Sequence, residues 1–138
     1  MALKWSEELS VGVEAIDNQH KSIFAMANNL FDAMEAGHGK EEVAETIAFL
    51  RKYISEHFCD EEELMINHNF PGYAEQRKEH KQFLTKYLAL EAEFEAKGAS
   101  SHFVVETQLF LSSWLINHIN KSDKAIGMFL KKAKRPQS

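Results

Sequence analysis

Hydrophobic residues recur along most of this chain at spacings of three, four and seven, the period of an α-helix with one buried face. Turn signals divide the pattern into an arm of residues 1–15 and four helices at about 17–36, 40–66, 73–96 and 102–132. Only 6 glycines and 2 prolines occur, too few for the many tight turns of a β-sandwich. The pattern predicts an all-α, up-down-up-down four-helix bundle with an N-terminal arm and a short C-terminal helical extension.

Each predicted helix has a stripe of residues that is expected to face the core. The stripes of the first two helices are Ile16, Ile23, Phe24, Ala27, Leu30, Phe31 and Met34, and Val43, Ile47, Leu50, Ile54, Phe58 and Met65. Those of the last two are Phe83, Leu84, Tyr87, Leu88, Leu90 and Phe94, and Phe103, Phe110, Leu111, Trp114, Leu115 and Ile119. The Gly37-His38-Gly39 turn is expected to end the first helix, and Ser100 or Ser101 to cap the fourth.

Length and charge narrow the class of protein. With 138 residues the chain is expected to form a single domain over 1–138, with the bundle at about 16–132. The net charge of −5 is spread along the chain, and the basic run at 131–135 is interpreted as a solvated helix end, so no nucleic-acid partner is predicted. No apolar run reaches the ~18 residues that span a bilayer, and the N-terminus lacks the apolar core of a signal peptide. Together with a single cysteine, these features predict a cytoplasmic protein with no membrane partner.

Several polar residues fall on the apolar stripes. One histidine lies on the inner face of each helix: His20, His57, His80 and His118. Glu61 follows one of them by four residues and Gln76 precedes another by four, so both share a histidine's face. Burial of such groups without partners costs free energy, and a shared divalent-metal site would satisfy them together. Because one ion seldom uses so many ligands, the pattern predicts a metal site that holds two ions. The remaining histidines are expected to be exposed: His38, His68 and His102.

In order along the chain, the inward residues resemble the hemerythrin family, and in particular the single-domain bacteriohemerythrins. The matching segments are 16–20 (IDNQH), 57–62 (HFCDEE), 70–73 (FPGY) and 114–123 (WLINHINKSD), with Met65, His80 and Phe83 at matching spacings. The resemblance covers nearly the whole chain, from residue 5 to about residue 130. It implies a non-haem di-iron centre, with two iron ions and an oxo or hydroxo bridge, that binds O2 reversibly.

The resemblance also implies a role for individual residues. Carried over by position, the implied ligands are His20 and His57 for the iron that receives O2, His80 and His118 for the other iron, and Glu61 and Asp123 as bridges. Asp123 enters only through the resemblance, because it lies five residues after His118 and therefore about 140° further round a regular helix. The implied lining of the O2 pocket is Trp114, Leu115 and Ile119.

Position 76 departs from the family's pattern. That pattern has His-x-x-x-His on the third helix, whereas this chain has Gln76 four residues before His80. Three outcomes are open: Gln76 is a weak ligand, water takes the histidine's place, or that iron binds poorly. The retained ligands favour the first two. An exchangeable position there is expected to shorten the lifetime of an O2 adduct relative to an all-histidine relative.

The leading hypothesis is a di-iron protein, not an enzyme, that binds O2 for storage, delivery or sensing. Its predicted partner is O2 or another small diatomic or anionic ligand, and the sequence identifies no protein partner. The first alternative is a di-iron oxidase, peroxidase or nitric-oxide-handling enzyme that uses a coordination position opened at Gln76. The second is an iron-storage or metal-stabilised structural bundle.

Overall fold

The computed structural model describes residues 4–133, and the regular secondary structure in this range is entirely helical. Residues 1–3 of the predicted arm and residues 134–138, which include the end of the basic run, lie outside the described residues. The first rod is α1, Glu14–Glu35. The second rod joins α2 (Gly39–Tyr53), a π-helical turn that we call π1 (Ile54–Phe58) and α3 (Cys59–Asn67).

The third rod is the single helix α4, Tyr73–Lys97. The fourth rod joins α5 (Ser101–Trp114), a π-helical segment that we call π2 (Leu115–Asp123) and α6 (Lys124–Ala133). No helix within residues 4–133 combines the length and the apolar character needed to cross a membrane.

Short connections determine how the rods are arranged. Residues 36–38, 68–72 and 98–100 are the only links between rods, and α1 alone is about 33 Å long. Each rod must therefore return alongside the one before it, which confirms the predicted four-helix bundle. Gly37 adopts a φ of +82° where α1 ends, and the Ser100 hydroxyl accepts a hydrogen bond from the Phe103 backbone N–H at 3.0 Å. Both capping predictions are thus confirmed, with Ser100 as the cap.

Two apolar clusters divide the interior of the bundle. The larger contains residues such as Ile23, Phe58, Phe83 and Ile119, and the smaller consists of Val11, Ile16, Met65, Ile126 and Leu130. Along α1, position 20 falls between residues 16 and 23, which belong to different clusters. Position 61 likewise falls between 58 and 65, and position 123 between 119 and 126. The polar residues of the stripes therefore form a layer between two hydrophobic cores.

The N-terminal arm packs against the bundle. It contains a 3-10 turn at Glu7–Leu9, and Val11 is fully buried. The Val11 backbone N–H and the Ser10 hydroxyl donate to the two oxygens of Asp17 at 2.9 and 2.6 Å. A Cβ at Gly127 would lie 2.5 Å from the Ser10 carbonyl oxygen, so a glycine on α6 allows the arm to approach closely. The first helix begins at residue 14, about one turn earlier than predicted.

Two residues of the predicted stripes are exposed. Ile54 is half-buried and packs against the larger cluster as predicted, next to the buried Tyr53. Leu84 and Leu88 are 37% and 51% exposed. They are wrong predictions because α4 buries a narrower line of side chains than an amphipathic stripe of average width. That line consists of Gln76, His80, Phe83 and Tyr87.

Candidate metal centre

The four inward histidines meet in the interior of the bundle. Each is at most 2% exposed: His20, His57, His80 and His118. The Nε2 atoms of His20 and His57 lie 3.1 Å apart, and the rings of His80 and His118 have centroids 5.1 Å apart. The prediction that every rod turns one histidine inward is confirmed, and the other three histidines are exposed as expected.

Glu61 is fully buried and its two oxygens serve different histidine pairs. Its Oε2 atom lies 3.3 Å from His20 Nε2 and 3.1 Å from His57 Nε2. Its Oε1 atom lies 3.0 Å from His80 Nε2 and 3.7 Å from His118 Nε2. The carboxylate therefore lies between the pairs and contacts both.

Asp123 is also fully buried and spans the same gap. Its Oδ2 atom lies 3.1 Å from His20 Nε2, and its Oδ1 atom lies 3.0 Å from His118 Nε2. Two groups of potential metal ligands result, and both carboxylates belong to both groups. We call them the first cluster (His20, His57, Glu61 and Asp123) and the second cluster (His80, His118, Glu61 and Asp123).

The π-helical segment π2 explains how Asp123 reaches the interior. On a regular α-helix, five residues separate His118 from Asp123 by about 140°. In a π-helix the hydrogen bonds run between residues five apart, so these two residues lie nearly one above the other. A wide helical segment therefore brings Asp123 to the face of His118, where the resemblance had implied it. The turn π1 similarly contains His57 and lies just before Glu61.

The outer nitrogens of the histidines have different partners. His57 Nδ1 lies 2.6 Å from the Gln19 amide oxygen, and His80 Nδ1 lies 2.9 Å from Glu62 Oε2. His118 Nδ1 lies 3.5 Å from Glu79 Oε1, which also accepts a hydrogen bond from the Ser122 hydroxyl. These contacts orient the rings so that the Nε2 atoms point to the centre.

Aromatic and apolar side chains wall the clusters. Trp114 stacks on His118 at a centroid distance of 3.8 Å, and Phe58 stacks on His80 at 4.1 Å. Tyr53 stacks on His57 at 4.7 Å, and its hydroxyl accepts a hydrogen bond from Trp114 Nε1 at 3.3 Å. The three residues assigned to the O2 pocket by resemblance are all buried in the same core: Trp114, Leu115 and Ile119.

The buried carboxylates create a demand for positive charge. Within residues 4–133 no lysine or arginine pairs with Glu61 or Asp123. Burial lowers the pKa of His20, but the two carboxylates outweigh it and raise the pKa from 6.5 to about 9. Burial likewise lowers the pKa of His118, and Asp123 above all raises it well beyond 6.5. Burial raises the pKa of Glu61, whereas His57 and the other imidazoles hold it well below 4.5. In the absence of metal, these raised pKa values favour protons on His20 and His118, which supply positive charge beside the carboxylates.

The geometry and the unpaired atoms of the site fit metal ions. Two donors about 2.1 Å from one ion and at right angles to each other lie about 3.0 Å apart, close to several of the distances above. Both ring nitrogens of His118 and both oxygens of Asp123 have no aligned hydrogen bond although they are buried. Such groups are costly unless another partner satisfies them, and an ion between them would do so. All the donor atoms of each cluster lie within 4.8 Å of one another.

Gln76 contributes a further unpaired polar group. It is 3% exposed, lies one turn before His80 on α4, and has no hydrogen-bond partner for either amide atom among the described residues. A buried amide in this state requires an explanation. Its place on the buried line of α4, one turn from His80, makes it a further candidate for contact with a metal or with a metal's water.

Sequence reasoning missed the residues behind the histidines. Gln19, Glu62 and Glu79 belong to polar, partly exposed positions with no periodic signal. Tyr53 was missed because the regular helical period placed Ile54 on the inner face. Gln19 and Glu62 lie within the matched segments 16–20 and 57–62, and this was the available signal.

Fold and site together define a class of protein: a four-helix bundle with a buried histidine–carboxylate centre that could hold metal ions. The model of the family described as "Hemerythrin HHE cation binding domain" matches residues 11–130. Bacteriohemerythrin of Pseudomonas aeruginosa (strain LESB58) is 36% identical over 88% of this chain and 76% of its own length. Bacteriohemerythrin of Stenotrophomonas maltophilia is 33% identical over 89% of this chain and 78% of its own length. That of Methylococcus capsulatus is 32% identical over 87% of this chain and 89% of its own length. The chain belongs to the hemerythrin family.

Proposed function

We propose that this chain binds O2 reversibly at two iron ions held by the first and second clusters. The observation that carries the proposal is the placement of Glu61 and Asp123, each with one oxygen in each cluster. Carboxylates in this position suit a pair of ions that share two bridges. Membership of the hemerythrin family, a family of di-iron O2-binding proteins, supports iron over other divalent metals.

In this proposal the pair of iron ions supplies the reversible electron transfer to O2 that side chains cannot perform. The protein's own residues would keep the Nε2 atoms of His57 and His80 free for metal, with the proton on Nδ1 donated to Gln19 and Glu62, while Glu79 lies 3.5 Å from His118 Nδ1. Trp114 and Ile119, both buried, exclude water from the centre. Exclusion of water protects a reduced metal centre from side reactions.

Iron content and optical spectra test the proposal together. The reduced protein is expected to hold two iron ions per chain and to develop a visible absorption band when O2 is admitted. The band is expected to disappear when O2 is removed, over several cycles. Continuous O2 consumption without a stable band would favour an enzyme instead, and no change on O2 addition would favour iron storage or a structural role.

The unpaired amide of Gln76 supports a second candidate function. If it leaves a coordination position of the second cluster open to water, that position could admit peroxide or nitric oxide, and the chain would act as a di-iron oxidase or peroxidase. Gln76→His tests the point by filling the position with an imidazole. A longer-lived O2 adduct and slower peroxide turnover in the variant would support an open position, whereas equal values in the two proteins would exclude it.

A further inference from the structure

The two clusters differ in the charge of the groups behind their histidines. In the first cluster, His57 Nδ1 contacts the neutral amide of Gln19, and His20 Nδ1 has no hydrogen-bond partner among the described residues. In the second cluster, both outer nitrogens face carboxylates: Glu62 is hydrogen-bonded to His80 at 2.9 Å, and Glu79 lies 3.5 Å from His118 without an aligned hydrogen bond. The rod that provides His80 also provides Gln76, one turn earlier. The cluster with carboxylates behind its histidines is therefore also the one with a neutral amide on a neighbouring turn.

Both carboxylates are held in place by the fold. Glu62 follows Glu61 directly on α3, so the rod that provides a shared carboxylate also provides the partner of His80 on α4. Glu79 lies three residues after Gln76 on α4, and a hydrogen bond of 2.9 Å from Ser122 holds it against the fourth rod. Each carboxylate thus joins two rods across an imidazole of the second cluster.

A carboxylate behind an imidazole has a known physical effect. It accepts the Nδ1 proton, fixes the orientation of the ring and increases the basicity of Nε2 toward a metal. A neutral amide such as Gln19 fixes the orientation but adds no charge. The second cluster has two imidazoles, and one turn before His80 the chain has the neutral Gln76 where the family's pattern has a third, so its ligands need more electron donation to hold an ion as firmly as three imidazoles would.

We propose that Glu62 and Glu79 are positioning residues that strengthen His80 and His118 as ligands and thereby retain the metal of the second cluster beside Gln76. The inference rests on the proposed two-metal site. It concerns the affinity of one ion and not the chemistry of O2, so metal binding alone can test it.

The test measures stepwise ferrous-ion binding to the full chain under anaerobic conditions, by competition with a colorimetric chelator. Glu62→Gln and Glu79→Gln keep the shape and an acceptor oxygen but remove the charge. Each is expected to weaken one of the two iron equivalents about 10- to 100-fold and to leave the other within about 2-fold. Glu63→Gln and Glu75→Gln, exposed positions one and four residues away, remove the same charge without contact with a histidine and are expected to change neither equivalent.

A double variant tests whether the carboxylates compensate for the neutral side chain. Gln76→His adds an imidazole. In that background, Glu62→Gln is expected to weaken ferrous-ion binding severalfold less than it does in the parent chain. Absorption spectra of the Co²⁺-loaded proteins provide an independent readout, since Glu62→Gln and Glu79→Gln are expected to shift the ligand-field bands of one ion only. Urea unfolding of the metal-free variants verifies that they fold.

The outcomes are distinct. If the parent chain binds no iron, the proposed function fails and this inference fails with it. If the parent binds two ions and the glutamine variants match it, or both equivalents weaken equally, the inference fails while the two-metal site stands. If Glu62→Leu loses affinity but Glu62→Gln does not, orientation alone matters and the role assigned to charge is wrong.

Discussion

Gln76 is expected to destabilise the metal-free chain, and Gln76→Leu measures by how much. Both amide atoms are buried without partners in a side chain that is 3% exposed. An unsatisfied buried polar group costs about 1–3 kcal/mol, and leucine has a similar volume without the polar atoms. The metal-free variant is therefore expected to be more stable than the parent by about 1–3 kcal/mol, which corresponds to a rise in Tm of about 4–12 °C for a chain of this length.

Thermal and urea unfolding of chelator-treated proteins provide the measurement. Gln82→Leu, an exposed position on the same helix, is the matched control and is expected to change stability by less than about 0.5 kcal/mol. With saturating iron the order is expected to reverse in part, because a bound ion or its water gives the parent amide a partner that leucine cannot replace. A metal-free leucine variant that is less stable than the parent would refute the reasoning, since the amide would then have a favourable interaction to lose.

Further predictions concern pH and the arm. In the metal-free chain, burial lowers the pKa of His20 but Asp123 and Glu61 raise it to about 9, so its protonation contributes about 3 kcal/mol of stability. This contribution is complete below pH 6.5 and is lost as the pH rises through 9. Urea unfolding between pH 6 and 9.5 measures it, and a free energy of unfolding that does not change over this range contradicts it. The metal-loaded chain is expected to show the opposite trend and to release iron as the pH falls, because ligand imidazoles must be unprotonated, and iron retained after dialysis measures this. Gly127→Ala places a methyl group 2.5 Å from the backbone oxygen of Ser10 and is expected to cost about 1–3 kcal/mol in thermal unfolding; an unchanged Tm would mean that the arm does not close on α6.

The positions of the rods and most of the candidate site follow from sequence pattern. Hydrophobic periodicity located all four rods to within a few residues because each has a regular apolar face. The four histidines and Glu61 could be recognised because they interrupt that face, and burial of a polar group needs a reason. Asp123 could not be recognised in this way, since its register depends on a helical segment of a different period. Only resemblance to known sequences supplied it.

The residues that support the histidines could not be predicted for a different reason. Glu62 and Glu79 are acidic residues on partly exposed helix positions, where such residues ordinarily interact with water. Their role depends on which ring nitrogen of a residue on another rod lies opposite them. Periodicity describes one helix at a time, so it contains no information about such a pairing between rods.

The two π-helical segments connect the fold to the site. Within residues 4–133, π1 contains His57 and π2 extends from the residue after Trp114 to Asp123, so both wide segments occur where the candidate ligands are. A π-helix is less favourable than an α-helix, and its persistence in a buried position requires compensation from interactions nearby. The contact of His118 with Asp123 is the available compensation in π2 and depends on the changed register, whereas His57 and Glu61 are four residues apart and meet at the regular helical spacing. In π2 the irregularity of the helix and the convergence of the ligands are therefore one structural feature, and the regular helical period fails at Asp123, a residue that the proposed metal ions require.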